Sequence, residues 1–305
     1  MENVEYRGWK HNVRISNGDA EVIATLDIGP RIISYKLTGR DNVFKNYDDQ
    51  MGGSGEAEWM IRGGHRLWVG PEDHTRTYAL DNAPVHCEQI SPLQIRLRPD
   101  PDTTYGIQKE IDLTLAPKGS KATVVHRLTN IGKTATDLAP WSISVMAQGG
   151  FEVIPLPAKR PHPGSPKNAK SAEDFAANQL MTIWPYFDFE DPRWKFASRY
   201  IKLSQDPNKG PTKIGLAHKL GWVAYVNKGG IFVKKFTFEE GKVYPDQGVN
   251  FETFTYPHML EIETLGPLVK LAPGATVEHV ERWEISPETD ATPERVIDEI
   301  VPKLG

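Results

Sequence analysis

Cysteine, long apolar runs and excess positive charge are all scarce in this 305-residue sequence. Cys87 is the only cysteine, so no internal disulfide can form, and we interpret it as a small packed residue. No segment approaches the roughly 18 consecutive apolar residues of a membrane-spanning helix. The 36 Lys and Arg residues are outnumbered by 40 Asp and Glu residues, which disfavours nucleic acid and anionic membranes as partners. Residues 1–18 also lack a signal-peptide pattern, so we expect a protein of the reducing cytoplasm.

Recognised nucleotide and metal motifs are absent as well. The sequence has no glycine-rich phosphate loop, no nucleophile elbow and no metal-protease helix motif. His65, Glu72 and His74 lie near one another in the sequence but lack any recognised spacing of metal ligands. We therefore expect neither a cofactor nor a metal.

The dominant pattern that is present is an alternation of apolar and polar residues with a period of two, which is typical of half-buried strands. The 26 glycines and 24 prolines separate these runs as turns. We predict strands at residues 22–28, 31–37, 93–97, 107–115, 122–130, 141–148, 199–204, 213–218, 221–227, 230–238, 250–256, 258–264 and 276–285. So many strands favour an all-β fold, a large antiparallel two-sheet sandwich, over a small immunoglobulin-type domain.

Helix signals are few. Residues 292–304 predict a C-terminal helix, because Thr292 can cap it, Pro293 suits its first turn and apolar residues follow at helical spacing. Residues 171–181 are a second, modest helix candidate. The C-terminal segment is the better candidate, and we expect its helix to pack on the outside of the sandwich.

The proline-rich segment 155–170 predicts a long surface loop, and such loops often border binding sites. No internal repeat of 20–50 residues is evident, so a propeller or solenoid is not supported. We therefore predict a single domain over residues 1–305, with its β core at about residues 12–286.

A first candidate site lies in the Gly-Gly-His-Arg-Leu-Trp segment at residues 63–68 and just beyond it. His65 is titratable, Arg66 is a forked donor, Trp68 is a stacking surface and Glu72 is an acceptor, a mixture that suits a sugar. His74 follows as a further candidate contact. The alternative is a glycine-rich turn that enters a strand, with Arg66 and Glu72 forming a surface ion pair.

A second candidate site is the strand at 258–264, where Glu261 and Glu263 share one face. Neighbouring carboxylates raise the proton affinity of one of them, which can tune an acid or a base. Asn250 and Glu252 lie just upstream and could line the same face. The alternative is an ordinary solvated strand face.

Aromatic residues are frequent in the predicted loops and form a third candidate feature. Trp59, Trp184, Tyr186, Phe187 and Trp194 could stack against sugar rings at a polar mouth. Ordinary core packing is the alternative for most of them.

Several of these segments together resemble the aldose 1-epimerase, or galactose mutarotase, superfamily. The resemblance lies in residues 28–35 (IGPRIISY), 63–68 (GGHRLW), 260–264 (LEIET), 271–274 (LAPG) and 283–285 (WEI). The sequence is most similar to a poorly characterised mutarotase-like branch that carries the Gly-Gly-His-Arg-Leu-Trp block, and the similarity extends over roughly residues 12–286.

The resemblance implies a galactose mutarotase-like β-supersandwich with a sugar pocket on one sheet. In active members a late Glu acts as the base at the anomeric hydroxyl and a His protonates the ring oxygen, without a cofactor. That Glu corresponds to Glu261 if the preceding leucine is aligned, or to Glu263 if the following threonine is aligned, and both alternatives stay open.

One departure from the family bears on activity. Thr129 and Asn130 match a family pair, but the following segment 139–144 (APWSIS) lacks the expected histidine. His65 could supply the acid instead, with Arg66 binding a hydroxyl or carboxylate. The leading hypothesis is therefore a 1-epimerase of an aldose or uronate, whose partner is a small sugar or sugar acid. The alternatives are a non-catalytic carbohydrate-binding or sensor protein and a two-carboxylate glycoside-processing enzyme.

Overall fold

The computed structural model describes residues 1–304, which form two large antiparallel sheets. In chain order the strands are β1 (Glu2–Tyr6), β2 (Trp9–Ser16), β3 (Ala20–Thr25), β4 (Arg31–Leu37), β5 (His65–Gly70), β6 (Val85–Ser91), β7 (Gln94–Pro99), β8 (Ile107–Leu115), β9 (Ala122–Asn130), β10 (Thr136–Met146), β11 (Phe151–Pro155), β12 (Met181–Ile183), β13 (Trp194–Phe196), β14 (Tyr200–Ser204), β15 (Thr212–Leu216), β16 (Trp222–Asn227), β17 (Gly230–Lys235), β18 (Phe251–Tyr256), β19 (Met259–Leu265), β20 (Val269–Leu271) and β21 (Thr276–Ser286). The predicted all-β fold is confirmed.

The first sheet has the order β1-β2-β3-β4-β5-β10-β19-β18-β15-β12, with β20 paired to β10. The second sheet has the order β13-β14-β11-β16-β17-β21-β9-β8-β7-β6. The centre of the first sheet joins strands far apart in sequence, since β10 pairs with β5 on one side and with β19 on the other. This central region positions the candidate site.

The core lies between the sheets and follows from the period-two pattern. In β9, Val124 and Leu128 are fully buried while Thr123 and Arg127 on the opposite face are only partly covered. Burying such an aliphatic side chain contributes roughly 1.5–3 kcal/mol. Cys87 packs against the same core from β6, as its interpretation as a packed residue predicts.

The predicted C-terminal helix is confirmed. It begins as α1 (Pro293–Arg295), continues as a wider turn at Val296–Ile300 and ends as a tight turn at Val301–Lys303. Its N-terminus is capped by Thr292, whose hydroxyl accepts a hydrogen bond from the Arg295 amide. Its apolar residues pack on the outer face of the second sheet. None of the helices in residues 1–304 is long and apolar enough to cross a membrane.

The helix predicted at residues 171–181 is wrong. Only a single tight turn forms there, at Ala172–Asp174, and none of its residues is buried. An isolated helix of this length is marginal in water without an apolar face to pack, so the segment stays irregular up to β12. The predicted loop at 155–170 is irregular apart from a tight turn at Pro166–Asn168.

Several strands were not predicted because their burial pattern does not alternate. Every residue of β5 is buried, so both of its faces are covered and no period of two is visible. The internal strand β2 was not predicted either, nor were the short or edge strands β1, β6, β11, β12, β13 and β20. The omission of β5 matters most, because this strand contains His65 and Arg66.

Candidate functional site

A small pocket of about 120 Å³ lies on the outer face of the first sheet, above β5, β10, β19, β18 and β15. It is lined by Trp68, Glu72, Tyr78, Trp141, Tyr186, Lys213, Phe254, Glu261 and Glu263. The antiparallel register creates this group, because Phe254 stands opposite both Lys213 and Glu261, and Glu252 stands opposite Glu263.

Two glycines form the turn that leads into β5. Gly63 and Gly64 adopt φ values of +88° and +72°, in the left-handed region that favours glycine. A Cβ atom would lie 2.0 Å from the Lys45 carbonyl oxygen at Gly63 and 2.4 Å from the Ile32 carbonyl oxygen at Gly64. This close approach fixes the register of β5, so that Arg66 and Trp68 face the pocket side while His65 lies on the opposite face.

Glu263 forms part of the pocket lining and is only 1% exposed. Its Oε2 atom accepts hydrogen bonds from Trp141 Nε1 and Lys213 Nζ, both at 3.0 Å. Its Oε1 atom has no hydrogen-bond partner within residues 1–304. Burial raises the pKa of Glu263, and the Lys213 ammonium opposes this rise only in part. The carboxylate thus has one anchored oxygen and one buried oxygen without a partner.

Lys213 links two glutamates beneath the pocket. Its ammonium lies 2.6 Å from Glu252 Oε2 and 3.0 Å from Glu263 Oε2, and it also stacks on the rings of Trp184 and Trp141. Burial opposes its charge, but the two carboxylates together raise the pKa of Lys213. Lys213 therefore stays protonated, whereas burial raises the pKa of Glu252 well above its ordinary value.

Arg66 makes a second buried ion pair at the pocket. Its Nη2 atom donates to Glu261 Oε1 at 2.9 Å, and its guanidinium lies 4.2 Å from the ring centre of Trp68 and 5.3 Å from that of Trp59. The alternative of an Arg66–Glu72 surface pair is therefore wrong. The alternative of a solvated strand face is wrong too, since Glu261 and Glu263 are both buried.

The rim of the pocket contains two tyrosines. The Tyr78 hydroxyl donates to Glu72 Oε1 at 2.6 Å, and burial raises the pKa of this phenol. Tyr186 makes no hydrogen bond through its hydroxyl in the described residues, and burial raises the pKa of Tyr186 to about 12. Both phenols are therefore protonated at neutral pH, but only Tyr186 has its hydroxyl proton free to donate to a ligand.

His65 does not converge on this pocket. Its side chain is fully buried between the sheets, where Nε2 lies 2.7 Å from His126 Nε2 and Nδ1 lies 2.9 Å from Ser144 Oγ. His126 Nδ1 must donate to the His279 carbonyl, so His126 Nε2 accepts the proton of His65 Nε2. The ionisable proton of His65 therefore points into the core and away from Glu261 and Glu263.

A buried polar cluster surrounds this histidine pair. Glu281 Oε1 accepts hydrogen bonds from Lys234, Ser142 and Thr264, and its Oε2 accepts one from Trp283. Burial opposes the charge of Glu281, but Lys234 and the nearby histidine rings hold the pKa of this carboxyl well below its usual range. We call this group, with His65, His126 and His279, the core cluster.

The core cluster has one feature of a metal site, because His65, His126 and Glu281 bring ligand atoms within 4.8 Å of one another. Their lone pairs are already used, since the two histidines share a hydrogen bond and Glu281 accepts four. The Lys234 ammonium, 2.9 Å from Glu281, would also repel a cation. These residues do not fit a metal. His65, Glu72 and His74 do not come together either, because only His65 is buried.

The remaining predicted site residues lie in different places. His74 is exposed and borders a neighbouring cavity that shares Tyr78 with the pocket. Asn250 is buried and accepts a hydrogen bond from the His218 amide at 2.7 Å, so it holds the backbone rather than lining the pocket. Of the aromatic candidates, Tyr186 lines the pocket and Trp194 packs in the core.

Sequence reasoning missed Lys213, Lys234 and Glu281. In the sequence, Lys213 alternates with apolar residues and looks like an ordinary solvent-exposed lysine of a strand. Only the pairing of the strands shows that it lies beside Glu263. Glu281 offered a signal, because it shares its strand face with the apolar Trp283 and so occupies a position where charge is unexpected.

Solved structures resemble this chain closely in fold but weakly in sequence. The Slr1438 protein from Synechocystis sp. PCC 6803 superposes with a TM-score of 0.59 at 11% identity, over 94% of this chain and 100% of that chain. A galactose mutarotase-like protein from Lactobacillus casei gives a TM-score of 0.59 at 10% identity, over 90% and 100% of the two chains. This chain has the galactose mutarotase-like fold.

A galactose mutarotase related enzyme from Lactobacillus acidophilus shares this mutarotase-like fold, with a TM-score of 0.54 at 10% identity over 92% of this chain and 99% of that chain. No protein-family model matches the sequence, and no curated protein is similar to it. Because one fold hosts many activities, the chemistry of the pocket rests on its own residues.

Proposed function

We propose that the pocket binds a monosaccharide unit and interconverts its anomers, with Glu263 as the base. The observation that supports this proposal most directly is the geometry of the Glu263 carboxylate, which has one oxygen held by Trp141 and Lys213 and one without a partner. A positioned carboxylate with a raised pKa is suited to proton transfer near neutrality.

The proposed reaction needs one base and one acid. Glu263 takes the proton of the anomeric hydroxyl while the bond between the anomeric carbon and the ring oxygen breaks, and Tyr186 gives a proton to that oxygen. The resulting aldehyde rotates and the ring closes on its other face, with both protons returned. Tyr186 is assigned the acid role because the other rim phenol, Tyr78, already donates to Glu72.

The walls and charges of the pocket favour a neutral aldose. Trp68, Trp141 and Phe254 offer apolar faces to the C–H faces of a pyranose. Both pocket cations, Arg66 and Lys213, are already paired with glutamates. A uronate would therefore meet no free positive charge here, so we favour an aldose over the sugar acid that the sequence left open.

The test is anomer exchange measured by NMR on a panel of hexoses and pentoses. Glu263→Gln should lower the catalysed rate at least about 100-fold because the base is lost. Tyr186→Phe should lower it as well, whereas Glu240→Gln, at an exposed position far from the pocket lining, should match the wild type. Calorimetry on the same variants checks that the sugar still binds.

Absence of exchange with every sugar tried would contradict the enzymatic proposal. One observation favours the non-catalytic alternative: no histidine lines the pocket within residues 1–304. Sugar binding without exchange would support a binding or sensor protein. Release of phenol from aryl glycosides, in contrast, would support the two-carboxylate glycoside-processing alternative.

A further inference from the structure

Two further cavities lie beside the pocket. A middle section of about 620 Å³ shares Tyr78 with the pocket. An end section of about 280 Å³ shares Ala79, Leu80, Asp102 and Thr104 with the middle section. Each cavity thus adjoins the next through shared wall residues, and we call the middle and end sections together the outer groove.

The middle section repeats the chemistry of the pocket. Trp59 and Tyr105 offer aromatic surfaces, and Tyr105 is 38% exposed. His74 and Asp102 supply polar groups between these aromatic side chains. Aromatic faces interspersed with donors and acceptors suit further sugar rings, whereas a single monosaccharide would occupy only the pocket.

Lys109 provides an independent observation at the far end. It lines the end section, is only 9% exposed, and its ammonium makes no hydrogen bond or ion pair within residues 1–304. Leaving an ammonium nearly buried without a partner is unfavourable. Asp81 and Asp102 act on Lys109 only through longer-range attraction, which raises its pKa against the larger lowering effect of burial. A ligand hydroxyl is a suitable missing acceptor.

We propose that the pocket and the outer groove together bind an oligosaccharide, with its reducing-end unit in the pocket. The orientation follows from chemistry, because only the reducing end has a free anomeric hydroxyl for Glu263. The next units would lie against Trp59 and Tyr105, and the chain would extend toward Lys109. This inference rests on the carbohydrate pocket proposed above and names the size of its ligand.

The test is calorimetry with glucose, cellobiose, cellotriose and cellotetraose, together with the matching galactose and xylose series. Affinity should rise at least tenfold from the monosaccharide to the trisaccharide of the preferred series. Tyr105→Ala and Lys109→Met should each reduce this gain roughly two- to tenfold. Phe175→Ala is the matched control, since Phe175 is 51% exposed and lines none of the three cavities.

The outcomes separate the groove from the pocket. Equal affinity at every chain length, with monosaccharide binding intact, would overturn the oligosaccharide proposal and leave the pocket proposal standing. Tighter oligosaccharide binding that depends on Tyr105, but without anomer exchange, would support the groove and contradict the catalytic role of Glu263. If no saccharide of any length binds, both proposals are wrong.

Discussion

A lysine–glutamate ion pair lies on each side of the first sheet around β5, β10 and β19, and the two pairs differ in how their carboxylates are hydrogen-bonded. On the pocket face, Lys213 lies 3.0 Å from Glu263, and on the core face Lys234 lies 2.9 Å from Glu281. Glu281 accepts four hydrogen bonds, whereas Glu263 keeps one oxygen free. The carboxylate on the core face is thus fully hydrogen-bonded, whereas the one on the pocket face has an oxygen left without a donor.

The pKa values of Glu281 and Glu263 are shifted in opposite directions, in line with this difference in hydrogen bonding. Although burial opposes both charges, Lys234 and the histidine rings hold the pKa of Glu281 well below normal. Burial prevails at Glu263 and raises its pKa. The core carboxylate therefore favours its ionised form, while the pocket carboxylate holds a proton more readily than an ordinary glutamate does. Removing groups from each face tests whether this distinction is real.

The largest effect is expected from Lys234→Met. This change leaves the carboxylate of Glu281 buried without its cation and should lower the free energy of unfolding by about 3–5 kcal/mol, measured by chemical denaturation. Lys213→Met is the matched comparison and should cost less, because burial already raises the pKa of Glu252 and of Glu263, so that both carboxyls can take up a proton when the cation is lost. Equal destabilisation by both variants would contradict the distinction between the two faces.

A pH-dependent effect of intermediate size is expected from Glu152→Gln. Glu152 is fully buried on β11, neither of its oxygens has a hydrogen-bond partner within residues 1–304, and burial raises its pKa from 4.5 to about 8. The protonated form is favoured in the folded state. Its contribution to stability is therefore complete below pH 4.5 and is lost as the pH rises through about 8.

The difference in unfolding free energy between wild type and Glu152→Gln should accordingly change by about 1.4 kcal/mol per pH unit within that window. The wild type should lose stability relative to the variant as pH rises, because glutamine cannot ionise. Denaturation at several pH values between 5 and 8 measures this slope. A constant difference across the range would show that Glu152 does not titrate there.

The smallest effect is expected from His65→Leu. Loss of the ring leaves His126 and Ser144 with one unsatisfied group each and should destabilise the protein by about 1–3 kcal/mol. Anomer exchange should stay within about threefold of the wild type, because His65 faces the core. A rate loss as large as that of Glu263→Gln would instead restore the acid role that sequence position suggested for His65.

The sequence identified residues that line the pocket, but not the residues that contact them from distant strands. Glu261 and Glu263 were placed on one strand face by alternation alone, and they do line one pocket. Lys213 was not linked to them, since it lies 50 residues before Glu263 and meets it only through the pairing of β15, β18 and β19. His65 was assigned to the pocket because it is next to Arg66 in the sequence. Consecutive residues of a strand point to opposite faces, so the two side chains lie on opposite sides of the sheet.

Local patterns in the sequence determined the all-β fold, the capped C-terminal helix and the glycine turn before β5, because each depends on neighbouring residues. The tertiary structure alone decided which face of β5, β10 and β19 is open and which is sealed by the second sheet. Alternation divides a strand into two faces but cannot say which face another sheet will cover. That choice placed Trp68 and Glu263 in the pocket and His65 in the core beside Glu281 of the second sheet.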